Sequence, residues 1–156
     1  MKRLFVILIL FAAGCTSQNE NSPDTSQLKS SKEKVSAASV EGCYLSVFNK
    51  DTSRLKIIAN DNRITGALSY KRFEKDSNNG TISGQIKDSL IVAYYTFQSE
   101  GIISVREVAF KFDSKGFLRE GFGEIVIRNT GDTASFKTLS ELNFHESPAF
   151  VKEECQ

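Results

Sequence analysis

The chain has 156 residues with 20 basic and 19 acidic side chains, a formal charge of +1, and no tryptophan. That balance argues against a nucleic-acid partner, which needs a basic face, and the length allows one compact domain beside shorter segments. A single histidine and three cysteines leave few residues for metal or nucleophilic chemistry.

The first fifteen residues divide into three parts. Met1-Lys2-Arg3 is a positive start, Leu4 to Phe11 an unbroken apolar run, and Ala12-Ala13-Gly14 a set of small residues before Cys15. This is the layout of a secretory signal. The apolar run is far short of the ~20 residues that a membrane-spanning helix needs. The junction resembles a bacterial lipobox, with Ala12 where leucine is commoner. The resemblance implies cleavage of residues 1–14 before Cys15 and acylation of the Cys15 thiol. The chain would then be lipid-anchored in the bacterial cell envelope, its membrane partner reached through the N-terminal lipid. Two or three acyl chains, at ~0.8 kcal/mol per buried CH₂, would make that anchor effectively permanent. In well-studied envelopes an aspartate after the cysteine favours inner-membrane retention, so with Thr16 there the resemblance implies the outer membrane.

Residues 15–40 read as the lipidated cysteine and a flexible linker. From Thr16 to Val40 there are seven serines and Pro23 but no aromatic residue. Too little apolar surface is present to offset the entropy of ordering. A flexible coil of this length would hold the following domain on the order of 25–30 Å from the bilayer.

Residues 41–156 have another character, holding ten of the twelve phenylalanines and all four tyrosines, with 15 basic against 16 acidic residues. Their periodicity is two rather than 3.6. Leu55, Ile57 and Ala59 alternate with Arg54, Lys56 and Ile58; Ile64, Gly66, Leu68 and Tyr70 alternate with Arg63, Thr65, Ala67, Ser69 and Lys71. Turn-forming Asn, Asp and Gly recur at short intervals: Asn60-Asp61-Asn62, Asn78-Asn79-Gly80, Lys87-Asp88, Ser99-Glu100-Gly101, Asp113 to Gly116 and Asn129 to Asp132. No proline stands between Pro23 and Pro148 to interrupt a strand. The pattern predicts about eight strands, near 42–48, 54–59, 63–71, 80–87, 89–97, 103–112, 117–127 and 133–137. Consecutive hairpins of that number give an all-β fold, a small antiparallel up-and-down barrel, behind a signal peptide and disordered tether. The tail from Leu139 is expected to pack back across it through Phe144 and Phe150.

With Cys15 taken by lipid, Cys43 and Cys155 remain, one at each end of the domain. An exported chain meets oxidising conditions, and a bridge between them is the economical reading. The alternative, a reactive or metal-binding pair, has no ligand cluster beside either cysteine.

Gly42-Cys43-Tyr44, Asp51-Thr52, Thr65-Gly66-Ala67-Leu68, Tyr70 to Asp76, Thr96 to Gly101 and Ser104 to Glu107 follow one another in that order, ending at Gly121-Phe122-Gly123-Glu124. In this the domain resembles small uncharacterised bacterial envelope lipoproteins, which carry no activity to transfer. More broadly the strand rhythm and early Gly-x-aromatic are similar to lipocalin-like and avidin-like barrels. That likeness implies a fold and no particular ligand.

Enzyme chemistry finds little footing. His145 has no Gly-x-Ser-x-Gly elbow to serve, Gly121-Phe122-Gly123 lacks the third glycine of a dinucleotide loop, and no metal-ligand spacing occurs. Glu120 and Glu124 would fall on one face of one strand with ~13 Å between Cα atoms, too far for a retaining glycosidase pair. No catalytic residue, metal or cofactor is therefore assigned. Arg106 stands apart, because it shares a face with Val108, Phe110 and Phe112. An arginine on an apolar face needs a partner, which Tyr94, Glu100 or Glu120 could supply. The group could orient a ligand at the barrel mouth or form an ion pair that closes the barrel end. Asp132-Thr133-Ala134 resembles the tripeptide that some bacteria O-glycosylate after export, with Thr133 as acceptor. The expected role is non-enzymatic binding of an envelope component or protein partner; the alternative is a carrier of a small apolar ligand inside the barrel.

Overall fold

Alternation of side chains along residues 42–153 is realised as ten strands in the computed structural model, which describes residues 36–128 and 133–156. Residues 1–35, with the expected leader and Cys15, and the 129–132 segment lie outside the described residues. The strands are β1 (Gly42–Phe48), β2 (Asp51–Asn60), β3 (Arg63–Lys71), β4 (Ser77–Lys87), β5 (Leu90–Ser99), β6 (Ile102–Phe112), β7 (Leu118–Glu120), β8 (Ile125–Arg128), β9 (Thr133–Phe136) and β10 (Ala149–Glu153). Antiparallel pairing runs β1 to β7 in chain order except where β10 stands between β7 and β1, so eight strands close into a barrel. Closure leaves those eight without a free edge.

β8 and β9 form an antiparallel hairpin outside the ring. β9 joins the upper half of β6 in parallel, with Val105 beside Thr133 and Arg106 beside Ala134. The Glu107 carboxylate accepts the Phe136 N–H at 2.9 Å and fixes the hairpin to the barrel wall.

The inward-facing set is nearly uniform. Tyr44, Leu55, Ile57, Ile64, Leu68, Ile82, Ile91, Tyr95, Val108, Phe110 and Leu118 form one buried cluster, joined by Phe150, whose ring meets Phe110 edge-on at 5.8 Å. Side chains of this size fill an eight-stranded interior, which is only just wide enough for them. Gly66 and Gly84 sit where adjacent strands press close: a Cβ at Gly66 would overlap the Lys56 carbonyl, and one at Gly84 the Val92 carbonyl. Glycine there lets the sheet coil tightly enough to close.

Several hairpins turn where the turn residues stand. Asp61, Asp88 and Glu100 adopt left-handed backbone conformations, with φ of 54°, 57° and 50°. Asp113 accepts N–H bonds from Lys115 and Phe117 and so builds the β6–β7 turn. Four expectations need correction. Asn78-Asn79-Gly80 is not a turn but lies within β4, because the β3–β4 connection is made earlier, at 72–76. The expected strand over 117–127 breaks after Glu120: Gly121 lies against the Phe144 ring, and Phe122 bridges to Asn143 instead. The strand over 133–137 exists but stands outside the ring. The tail closes the barrel in its place, since β10 satisfies the open edges of both β1 and β7. Finally, the domain begins before Glu41. A single helical turn, α1 (Ala37–Val40), buries Val40 completely, and the Tyr44 hydroxyl donates to its carbonyl at 2.7 Å.

The barrel therefore has two distinct ends. α1, the β2–β3, β4–β5 and β6–β7 turns and the C-terminus gather at the entry end. The β1–β2, β3–β4 and β5–β6 hairpins and the end of β7 gather at the opposite, far end. Cys43 and Cys155 are bonded at the entry end, with Cα atoms 5.2 Å apart and a sequence separation of 112.

Candidate functional site

Near the far end the inward-facing residues change from apolar to polar. Tyr70 is the penultimate residue of β3, Tyr95 lies in β5, Arg106 sits directly across from it in β6, and Glu120 ends β7. Because each occupies an inward position of its strand, four residues spread over fifty positions meet within one barrel cross-section. The Tyr70 hydroxyl donates to Glu120 Oε1 at 2.6 Å, and Arg106 Nη2 stands 3.6 Å from the same oxygen. The Arg106 guanidinium lies over the Tyr70 and Tyr95 rings, 5.1 and 5.6 Å from their centroids. Arg72 covers Tyr70 at 5.6 Å and is itself held by Asp51 at 3.0 Å. Tyr95 stacks on Phe97 at 4.7 Å. Ser147, which is buried, accepts the Glu120 N–H at 3.0 Å.

Glu120 is almost sealed from water. Burial pushes its carboxyl above the ordinary carboxylate value, against the lowering pull of the Tyr70 hydroxyl and the Arg106 and Arg72 guanidiniums. The ion pair thus fails to offset the full desolvation of the carboxylate. Burial, then the Glu120 charge, holds the Tyr70 hydroxyl well above its usual range, and burial pushes Tyr95 up to about 12. Both hydroxyls stay protonated at any physiological pH. The Tyr95 hydroxyl has no hydrogen-bond partner among the described residues.

Of the partners the sequence offered Arg106, the fold selects Glu120. Tyr94 faces outward, half exposed and registered with Glu107, and Glu100 lies in the exposed β5–β6 turn. Glu120 and Glu124 do not share a strand, so the expected one-strand carboxylate pair does not form. Glu120 points into the barrel, whereas Glu124 is exposed and paired with Lys137 at 3.0 Å. His145 is exposed and donates its backbone N–H to Asn143. Thr133 is the first residue of β9, partly buried between Val105 and Arg128, and not a loop residue. Asp132 lies outside the described residues. Among the described residues no three His, Cys, Asp or Glu side chains gather as a metal site.

Two concavities lie on the outer wall. One, of about 240 Å³, spans β1 to β4 beside the disulfide and is lined by Arg54, Lys56, Ala67, Ser69, Glu153 and Gln156. The other, of about 470 Å³, runs along β1 and β10 between Leu45, Val47, Phe48, Pro148, Ala149 and Val151. Register explains the second. Leu45 pairs with Val151 and Cys43 with Glu153, and the next rung outward sets Val47 near Ala149, so the outward positions of two adjacent strands are apolar in succession. Val47 is 59% exposed, Phe48 57% and Val151 49%. Sequence reading missed this strip, although its signal is visible: in Gly42–Phe48 apolar residues occupy both parities, as on a strand with two covered faces. No family model, curated protein or solved structure matches this chain.

Proposed function

We propose that this chain is a lipid-anchored, non-enzymatic protein of the bacterial cell envelope that binds a protein partner through the outer wall of β1 and β10. The observation that carries the reading is the apolar groove of about 470 Å³ on the outside of the barrel. Apolar surface gathered in a contiguous patch, rather than scattered singly, marks interaction sites on folded domains. The filled interior supports the same choice. Tyr95, Phe110, Leu68 and Ile82 occupy the volume that a carrier would keep for its ligand, and the Arg106–Glu120–Tyr70 cluster bonds internally across the far end. Anchoring at the outer membrane rests on the Met1-to-Cys15 pattern and Thr16. α1, the first described element, lies at the end opposite the polar cluster.

A photoreactive amino acid at Val47 tests the surface in cells. Light should link the chain to one protein of defined mass, and Val151→Asp should remove that product. A control placed at exposed Lys87, at the entry end, should give none. Equal labelling from both positions, or labelling indifferent to Val151→Asp, would refute the assignment.

A further inference from the structure

β8 ends the sheet with one bonded edge and one open edge. Among the described residues it pairs only with β9. The Lys137 N–H donates to the Glu124 carbonyl at 2.8 Å. Antiparallel ladders alternate bonded and non-bonded positions, so Glu124, Val126 and Arg128 direct their backbone groups at β9. Those of Ile125 and Ile127 then point away from the molecule. Both side chains are also bare, 46% and 63% exposed. The segment Glu124-Ile125-Val126-Ile127-Arg128 contains no proline and no lysine, the usual guards of a free edge.

We propose that this edge pairs antiparallel with the same edge of a second copy of the chain, with Val126 on the two-fold axis. The register follows from two independent requirements. Outward backbone groups must meet outward groups, which restricts the centre of pairing to Ile125, Val126 or Ile127. Centred on Ile125, the pairing sets Glu124 against Val126 and Arg128 against Phe122; centred on Ile127, it sets Arg128 against Val126. Centring on Val126 alone sets Glu124 against the partner's Arg128, and symmetry makes that ion pair twice. The same register sets Ile125 against the partner's Ile127, giving four backbone hydrogen bonds. Directly opposed opposite charges stabilise such a pair, and like charges destabilise it. Arg128 is steadied by its own bond to the Phe136 carbonyl at 3.1 Å, and Glu124 by Lys137. The sequence of this edge is therefore complementary to itself reversed, and its partner is another copy. So short a pairing makes a small interface of the transient kind.

Cysteine scanning on the full chain tests both partner and register. Opposed residues at a non-hydrogen-bonded position have Cα atoms about 4.5 Å apart, within disulfide reach. Val126→Cys should therefore give a covalent dimer on mild oxidation, and Ile127→Cys alone should give little. Reversing one charge, Glu124→Arg, should lower the Val126→Cys dimer yield about tenfold. Adding Arg128→Glu should restore it, a result that misfolding cannot produce. Equal dimer from both cysteine positions, or a yield indifferent to Glu124→Arg, overturns the register. A Val126→Cys chain linked only to some other envelope protein overturns the second copy as partner.

Discussion

Removing the disulfide by Cys43→Ala with Cys155→Ala attacks the closure of the barrel where β10 meets β1. β10 is held to β1 by three rungs and to β7 by two, and the bridge lies just past its last residue. A separation of 112 residues closes a loop almost as long as the domain. In the chain-entropy model that loop sets a ceiling near ~5 kcal/mol, with ~2 kcal/mol as the lower end of common experience. For a domain of this size each kcal/mol moves the melting temperature by roughly 4 °C, so a fall of roughly 8–20 °C is expected. Far-UV circular dichroism of parent and variant, with reductant-treated parent as a second comparison, reads it. A fall below roughly 4 °C in both would refute the view that the staple restrains the unfolded chain.

Three smaller perturbations probe the far end and the anchor. Tyr95→Phe deletes a buried hydroxyl that lacks a partner, so stability should hold or rise by up to ~1 kcal/mol in urea titration; a loss above that would reveal an acceptor. Burial raises the Glu120 carboxyl, so the native state holds its proton more tightly than the unfolded chain does. That contribution is complete below the unfolded value near ~4.3 and is lost as pH rises through the folded value. Glu120→Gln should flatten this segment, its melting temperature gaining on the parent from pH 4 to pH 8; a constant difference would contradict the sign. Cys15→Ser should abolish acyl labelling and release the chain from membranes, and membrane retention in that variant would argue for another anchor.

What could be read from the sequence followed from local physics. Period-two alternation located β1 to β6, and the turns at Asp61, Asp88 and Glu100 marked three of their hairpins, because each of those hairpins is made by neighbours in the chain. The break after Glu120 was hidden, since alternation continues through Gly121-Phe122-Gly123 while the cause, contact with Phe144 and Leu142, lies more than twenty residues away. β10 was hidden for a similar reason: five residues after Pro148 look like a tail until β1 and β7 are seen to need a common partner. Val40 was assigned to the tether by composition, which cannot register one valine filling a barrel end. At the site, Arg106 announced itself as a charge on an apolar face, and its partner Glu120 was among the three expected. Tyr70, fifty residues from Glu120, became visible only when closure brought β3 and β7 to the same cross-section.

Native mass spectrometry of the chain purified from its source cells reads the anchor, the bridge and the partner together. The expected species is residues 15–156 bearing acyl chains on Cys15, with an intact Cys43–Cys155 bond. It should hold no small molecule in the barrel and should carry a protein partner that Val151→Asp removes. An unacylated chain that retains its leader, or a small apolar molecule retained by the barrel, would contradict it.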